Sequence, residues 1–331
     1  MYDSDSDVKL FDAHTHLNME EYSEEERADR MRTAAESKLA VVIDAGSNLT
    51  DSRQAVEDSA GYEWCYATVG IHPHYATGTT DEDIDIIRSM AVKYRYPAES
   101  TVVSDNEDSG CKGKVVAIGE VGLDFHFPGY SEEDQINVFR KQIRLALELG
   151  MPLMIHTRDA DRLTFDILNE EGAFSDERCA MFPPRPIFDI GSNSVIKSGE
   201  LPGWIRDTLM TGNTDGMLYG RDARVQLHCY SGSAELAKEY MRLGASFSLG
   251  GPITFKNSRK PVEVVQTIPL SCIMSETDAP YMAPTPFRGR PNRTEYVEHV
   301  VRRMAVLKGA TYEETAKVLY ENGCRFFDIV K

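Results

Sequence analysis

Short apolar segments alternate with amphipathic segments along almost the whole chain. The apolar segments show little alternation of polar and apolar residues, which predicts strands buried on both faces, as in a parallel sheet. They comprise residues 8–13, 39–45, 66–71, 115–119, 152–155, 224–227, 245–249 and 271–275. Their spacing indicates eight strands separated by crossover helices.

Helix start and stop signals lie between the predicted strands. Ser23 and Ser131 each precede acidic residues in the pattern of an N-terminal cap, while Gly150 and Gly323 are placed to end helices. Eight strands alternating with helices predict an α/β fold, a (β/α)8 TIM barrel. The length of 331 residues suits one such domain, so we expect residues 1–331 to form a single domain.

Two polar stretches interrupt the alternation and predict insertions. Residues 97–114 are rich in Ser, Asp, Glu and Gly, and residues 172–222 contain a proline-rich run and no clear periodicity. Each follows a predicted helix and precedes a predicted strand. Such αβ connections lie at the end of the barrel opposite the active site, where we expect the two insertions to form a shared cover or a self-association surface.

The charge balance argues against binding of nucleic acid through a broad basic surface. With 36 basic and 53 acidic residues the net charge is −17, which argues against a broad basic surface that holds many phosphates. A phosphate-bearing substrate is still compatible, because bound divalent ions dominate the field of a cleft. The polar start and the absence of a long apolar run predict a cytoplasmic protein with no membrane segment, and no feature indicates an obligate protein partner.

Side chains that bind metals follow the predicted strands. Seven of the eight histidines, all except His299, lie within a few residues of a strand end. His14 and His16 stand two residues apart, so both imidazoles point to the same side of an extended backbone. Because the carboxyl ends of barrel strands meet around one active site, we expect six ligands to converge there. They are His14, His16, Glu120, His156, His228 and Asp278.

Four imidazoles and two carboxylates suffice for two divalent ions that share one carboxylate. We assign one ion to His14, His16, Glu120 and Asp278, and the other to Glu120, His156 and His228. Both sets leave positions for water and substrate, which is typical of a catalytic site. Imidazole-rich sites favour zinc or manganese, whereas magnesium prefers oxygen ligands, so the identity of the ions stays open among Mg, Mn and Zn.

The predicted chemistry is hydrolysis by activated water. Two metal ions lower the pKa of a bound water and stabilise both oxygens of a displacement, and Asp278 is placed to orient that water and accept its proton. Phosphodiesters are the leading substrate class. The alternatives are a two-metal hydrolase of a cyclic amide, lactone or small phosphoester, and a metal-stabilised binding scaffold. Many two-metal hydrolases of cyclic amides and lactones bridge their metals with a modified lysine at the end of the fourth strand. In this chain that position is occupied by Glu120.

Six segments in order along the chain resemble the TatD family of metal-dependent deoxyribonucleases, which belongs to the amidohydrolase-like barrels. They are Phe11–His16, Gly70–His74, Ile118–Asp124, Ile155–Ala160, Leu227–Gly232 and Ser275–Tyr281. The resemblance implies the same barrel and the same six ligands. It also implies hydrolysis of DNA, with DNA as a transient substrate, typically as a 3′-to-5′ exonuclease on single strands that depends on a divalent metal.

The resemblance also suggests further site residues. It places His72 opposite the scissile phosphate, although a hydrogen bond within its loop is the alternative role. Arg158 is placed to contact a phosphate, and a salt bridge to Asp124 or Asp159 is equally compatible. The stretch after the eighth strand departs from the usual family pattern but keeps three residues that we expect to contact phosphate: Arg288, Arg290 and Asn292.

Other ring side chains near the predicted mouth have less specific roles. His74 and His126 are interpreted as loop or rim residues. Four aromatic residues could stack on bases or simply pack: Tyr75, Phe125, Tyr281 and Phe287.

Overall fold

Eight parallel strands form a nearly closed barrel in the computed structural model, which describes residues 8–97, 113–196, 201–210 and 217–330. The barrel strands, in order around the sheet, are β1 (Leu10–Thr15), β2 (Leu39–Ala45), β3 (Cys65–Val69), β4 (Val115–Asp124), β5 (Leu153–Arg158), β8 (Val225–Leu227), β9 (Ser246–Leu249) and β10 (Ile273–Ser275). A parallel bridge between Thr15 and Ala279 brings the first strand back to the last. The predicted TIM-barrel class is confirmed.

Helices cover the outside of the barrel and connect its strands. They are α1 (Glu24–Ala35), α2 (Leu49–Gly61), α3 (Asp81–Lys93), α4 (Glu132–Leu149), α5 (Asp161–Glu170), α6 (Asp176–Ala180), α7 (Gly203–Arg206), α8 (Ala234–Leu243), α9 (Lys260–Thr267), α10 (Val297–Lys308) and α11 (Tyr312–Phe326). Ser23 forms a capping box with Glu26 at the start of α1, and Gly150 ends α4 in the left-handed conformation. No helix in the described ranges combines the length and apolar character that a bilayer crossing requires.

Strand β4 is longer than the sequence predicts. The prediction ended it at Gly119, but it continues to Asp124, with an irregular register against β5 between Ile118 and Val121. Glu120 therefore lies inside the strand and not at its end. The extension matters for the site, because it carries Asp124 to the carboxyl-end rim of the barrel.

The predicted stop of the last helix at Gly323 is wrong. Helix α11 passes through Gly323 to Phe326, and a β carbon at Gly323 would lie 2.6 Å from ring atoms of Phe11. Phe11 is buried in β1 and stacks on Phe327 at 6.0 Å between ring centroids. Glycine is therefore needed here for close packing of helix on strand, and not for a helix end.

The described parts of the second insertion, residues 172–196, 201–210 and 217–222, lie at the amino ends of the barrel strands, as predicted. They contain α6, α7 and the short antiparallel pair β6 (Arg185–Pro186) and β7 (Tyr219–Gly220). The buried guanidinium of Arg178 donates to the carbonyl oxygens of Met151 and Ala223, which directly precede β5 and β8. Ile187 and Ile205 from this insertion are buried in the main hydrophobic core, so the segment is part of the folded body.

The first insertion lies almost wholly outside the described residues, which resume at Gly113. A shared cover or self-association surface formed by the two insertions stays a prediction. So do the cytoplasmic location and the absence of an obligate partner.

The contact between Gly323 and Phe11 predicts a cost for any added side chain. We expect Gly323→Ala to lower the free energy of unfolding by about 1–3 kcal/mol, because overpacking outweighs the helix propensity that alanine gains. Gly61→Ala is the matched control, since Gly61 also lies in a helix but has no heavy atom within 4 Å of an added β carbon. Urea unfolding of both variants tests this, and equal stability of the two would contradict the packing role of Gly323.

Candidate metal centre

His14 and His16 converge at the carboxyl end of β1. Their Nε2 atoms lie 3.1 Å apart. The other nitrogen of His16, Nδ1, lies 3.1 Å from the carbonyl oxygen of Ala45 and donates to it, which leaves the Nε2 lone pair facing inward. Nδ1 of His14 faces the Met154 sulfur at 2.9 Å, a weak acceptor. Two imidazole nitrogens this close require a shared proton or a cation between them.

His156 and His228 form a second converging pair, on β5 and just after β8. Nδ1 of His156 lies 3.2 Å from Nε2 of His228. The outer nitrogen of His156, Nε2, is 3.1 Å from a carboxylate oxygen of Asp124, so its proton sits there and its Nδ1 lone pair points inward. The outer nitrogen of His228 lies 4.0 Å from Glu276 Oε2.

Glu120 connects the two histidine pairs. Its Oε1 atom is 2.7 Å from the inner nitrogens of both His156 and His228, while its Oε2 atom is 3.5 Å from those of both His14 and His16. Each carboxylate oxygen therefore faces one pair. The ligand atoms of each group, Glu120 included, lie within 4.8 Å of one another and could hold a metal ion.

Asp278, the sixth predicted ligand, lies beside the first pair. Its Oδ1 atom is 3.6 Å from Nε2 of His14 and 3.7 Å from Nε2 of His16. The backbone N–H of Asp278 donates to the carbonyl oxygen of His14, which fixes the loop after β10 against β1. The structure thus brings all six predicted ligands together, and their donor set fits divalent cations.

The electrostatics of the cluster around Glu120 favour a bound proton or cation. Burial opposes ionisation of Glu120, yet the surrounding imidazoles, with His228 and His72 foremost, hold the pKa of its carboxyl group well below the usual value. Burial likewise opposes a charge on His228, but Glu120 raises the pKa of its imidazole to about 9. A buried carboxylate thus draws a proton or a cation into this cluster.

Asp124 is a site residue that sequence reasoning missed. Its Oδ2 atom accepts from His156 Nε2 and lies 3.2 Å from Nε2 of His74, and its Oδ1 atom accepts from the backbone N–H of His126. Burial opposes its charge, but the hydrogen bond from His156 lowers the pKa of its carboxyl group to about 2. Its position four residues after Glu120 on one strand, and therefore on the same side, was the signal that could have found it.

Two glutamines of α4 hold the loops that carry these side chains. The amide of Gln135 accepts from the backbone N–H of Asp124 and donates to its carbonyl oxygen. The amide of Gln142 makes the same pair of bonds with Ile71, at the end of β3. Both glutamines are buried. Helix α4 therefore fixes the backbone at the carboxyl ends of two neighbouring strands, β3 and β4.

His72 faces the cluster with its Nε2 atom. Its Nδ1 atom accepts from the backbone N–H of His74 at 3.1 Å, so a neutral His72 carries its proton on Nε2. That atom lies 3.6 Å from Glu120 Oε1. The loop hydrogen bond considered as an alternative role exists, and it leaves a donor aimed into the cavity. His74 stacks on Tyr130, with ring centroids 4.3 Å apart.

Of the four predicted phosphate contacts, Arg158 is best placed. It lines the cavity with its guanidinium 4.8 Å from the ring centre of Phe127. The salt bridges considered for it do not form among the described residues, because Asp124 binds His156 and Asp159 pairs with His126 at 2.8 Å. Its guanidinium is therefore available to a ligand.

The other three residues predicted to contact phosphate do not line the cavity as Arg158 does. Arg288 is exposed and lies over the ring of Phe255, 4.3 Å from its centre, and Arg290 is exposed outside the cavity lining. The buried side chain of Asn292 donates to the carbonyl oxygens of Thr277 and Tyr281, both at 2.7 Å. The geometry does not support a phosphate contact for Asn292, because its amide is already used to shape the loop after β10.

A single cavity of about 670 Å³ opens above the cluster. Of the four aromatic residues considered for stacking, Tyr75 and Tyr281 line it. Phe287 instead stacks on Tyr296, with ring centroids 4.0 Å apart, and Phe125 packs against the hydrophobic core. Phe127 and Phe255, which sequence reasoning did not single out, also line the cavity.

A (β/α)8 barrel with imidazoles around a buried carboxylate at the carboxyl ends of its strands is the architecture of metal-dependent hydrolases. The model of the TatD related DNase family matches residues 11–182 and 206–328, and the chain belongs to that family. It is 34% identical over 322 residues to the uncharacterized metal-dependent hydrolase YabD of Bacillus subtilis, a match that covers 97% of this chain and 99% of YabD.

Two further comparisons agree. The uncharacterized metal-dependent hydrolase TatD of Mycobacterium tuberculosis is 28% identical, over 97% of this chain and 98% of its own length. The crystal structure of YjjV, a TatD homolog from Escherichia coli, has the same fold, with a TM-score of 0.71 and 22% identity over 97% of this chain and 98% of that one.

The contact between Asp124 and His156 predicts a selective loss of metal affinity. We expect Asp124→Asn to weaken Mn²⁺ or Zn²⁺ binding by about 10–100-fold, because the charge that orients the imidazole is removed. Asp159→Asn is the matched control, since Asp159 pairs with the exposed His126. Competition with a chelating dye measures both affinities. The same affinity for Asp124→Asn as for the control would exclude this role.

Proposed function

We propose that the protein is a two-metal nuclease that hydrolyses DNA phosphodiester bonds, acting from the end of a single strand in the 3′-to-5′ direction. The observation that carries the proposal is the position of Glu120, whose two carboxylate oxygens face two different histidine pairs. A structural metal site needs only one set of four ligands, whereas a shared carboxylate is typical of paired ions.

His14, His16 and Asp278 would hold one ion, His156 and His228 the other, and Glu120 both. When bound, two divalent ions lower the pKa of water and stabilise the charge on both oxygens of an in-line displacement. The donor set suits Zn²⁺ or Mn²⁺ by its imidazoles and still admits Mg²⁺ through its carboxylates. We leave the native ion open among these three.

Asp278 and His72 are the residues with catalytic roles beyond ligation. Asp278 is half-buried and lines the cavity, and burial raises the pKa of its carboxyl group. It would orient the attacking water and accept its proton as the new P–O bond forms. The Nε2–H of His72 would donate to an oxygen of the phosphate as the bond to the leaving oxygen breaks.

Arg158 supports a phosphate substrate. A guanidinium without an ion pair on the wall of a metal cavity can bind phosphate through two parallel N–H bonds, and its contact with Phe127 restrains its plane. With a net charge of −17 the protein offers few such arginine–phosphate contacts. Binding of the DNA therefore depends mainly on the metal centre.

A two-metal hydrolase of a cyclic amide, lactone or small phosphoester remains the alternative. Strand β4 (Val115–Asp124) contains no lysine that could be modified to bridge two metals, and Glu120 faces both pairs instead. That observation favours the nuclease. Assays with a lactone or a small phosphomonoester beside DNA separate the two functions.

Loss of Asp278 tests the proposed activity directly. We expect Asp278→Asn to lower the rate at least ~100-fold, because it removes the proton acceptor and a ligand oxygen. The measurement is hydrolysis of labelled single-stranded DNA with Mg²⁺ or Mn²⁺. His299→Ala is the control, since His299 lies in α10 outside the cavity lining. If the wild-type protein is no more active than Asp278→Asn, the nuclease proposal fails.

Neutralising Arg158 tests the phosphate contact. We expect Arg158→Gln to lower kcat/KM on single-stranded DNA about 10–100-fold, the worth of a charge-assisted bond of ~1.5–3 kcal/mol. Arg162→Gln removes the same charge from α5, where the guanidinium pairs with Asp166 and Glu239 outside the cavity lining. Equal losses for both variants would mean that only the overall charge matters.

A further inference from the structure

The walls of the cavity differ in charge. Strand order places the loops after β1 and β2 across the barrel from those after β5 and β8. The loop after β1 contributes Glu21 and the first turn of α2, after β2, contributes Asp51 to the cavity lining, and the opposite side contributes Arg158. Arg158 is the only lysine or arginine among the described residues that line the cavity. The metal centre therefore lies between an acidic wall and a basic one.

The acidic wall is close to the centre. Asp51 lies near His16 and Glu21, is 6% exposed and accepts from the Asn48 side chain at 2.8 Å. Burial raises the pKa of its carboxyl group to about 6, so this group is ionised above that pH. Glu21 is exposed at the rim. A phosphate group at this wall would meet two negative charges in a partly enclosed cavity, where such repulsion is poorly screened.

Aromatic surface accompanies these carboxylates. Tyr75 and Tyr281 line the same part of the cavity and are 48% and 51% exposed. The ring of Tyr281 stands edge-on to His16, with centroids 6.1 Å apart. Half-exposed aromatic rings are platforms on which a nucleobase can stack regardless of sequence. The wall therefore suits an uncharged nucleoside and disfavours a further phosphate.

The opposite wall suits the rest of a strand. Arg158 and Phe127 form a stacked pair there. Phe255, which follows the neighbouring strand β9, also lines the cavity, and Arg288 lies over its ring from outside the lining. Arginine–aromatic pairs combine a phosphate donor with a stacking surface. A strand with its scissile phosphate at the centre can thus continue over this wall, while only its terminal nucleoside lies toward the acidic one.

We propose that the lobe bounded by Glu21, Asp51, Tyr75 and Tyr281, called here the end lobe, binds the terminal nucleoside of a DNA strand and rejects a strand end that carries a phosphate. The two carboxylates bind no group of the substrate and act by repelling a terminal phosphate. The inference rests on the proposed nuclease function, to which it adds the chemistry of the accepted strand end: a free hydroxyl group.

The experiment compares strand ends on the full-length protein with Mg²⁺ or Mn²⁺. Four versions of one oligonucleotide carry a hydroxyl or a phosphate at the 3′ end, or a hydroxyl or a phosphate at the 5′ end, each with the label at the other end. We expect a phosphate at the end where hydrolysis begins to slow the first cleavage at least ~10-fold, and a phosphate at the other end to change it little.

Variants of the end lobe should relax this preference. We expect Glu21→Gln and Asp51→Asn, singly and together, to bring the hydroxyl-to-phosphate rate ratio toward unity. Because the ratio is taken within each variant, a general loss of activity cancels. Glu20→Gln is the matched control, since the exposed Glu20 is next in sequence but outside the cavity lining. If Asp51→Asn does not fold, the exposed Glu21→Gln still decides the question.

The outcomes separate the two proposals. Equal rates on hydroxyl and phosphate ends would overturn the end lobe and leave the nuclease function intact. Cleavage at internal bonds irrespective of the ends would overturn both the end lobe and the proposed 3′-to-5′ direction, and would leave only DNA hydrolysis by the metal centre. A preference that survives in the Glu21 and Asp51 variants would also overturn it. Absence of any DNA hydrolysis would overturn the nuclease proposal and the end lobe with it.

Discussion

A buried carboxylate surrounded by imidazole lone pairs is the constraint on which the site depends. Glu120 is 3% exposed, and four imidazole nitrogens point at its two oxygens from distances of 2.7 to 3.5 Å. Lone pairs facing lone pairs in a low-dielectric interior are unfavourable unless protons or cations lie between them. The outer nitrogens of His16 and His156 are committed to Ala45 and Asp124, so the inner nitrogens are presented to a cation. The cluster is therefore arranged for positive charge before any ion arrives.

The barrel supports this arrangement from outside the cavity. Paired amide bonds from Gln135 and Gln142 hold the ends of β4 and β3 against one helix, α4. On the other side, the backbone bond from Asp278 to His14 joins the last strand to the first. Rigid support of this kind keeps the ligands in place. Arg178, from the second insertion, bonds to the backbone before β5 and β8 at the amino ends of the strands, opposite the site.

The parts of this picture that could be predicted from sequence are those governed by local periodicity. Apolar runs in the sequence predict the buried strands, and a histidine at the carboxyl end of such a strand lies at the mouth of the barrel. The order of the elements was therefore enough to predict that the six ligands converge. Asp124 and the α4 glutamines were not foreseen, because their partners lie far away in sequence. The prediction that Gly323 ends a helix was wrong, because glycine is needed there for close packing against Phe11 and not for a helix end. The role of Arg158 stayed open until the structure showed that Asp124 and Asp159 are bound to histidines.

If Glu120 bridges two cations, the two metal ions in the loaded protein are magnetically coupled. Electron paramagnetic resonance of the protein loaded with Mn²⁺ distinguishes ions joined by one carboxylate from ions that are apart, since paired sites hold them about 3.5–4 Å from each other. We expect the spectrum of a spin-coupled manganese pair at full loading. A six-line spectrum of isolated Mn²⁺ at full loading would mean that Glu120 does not bridge two ions.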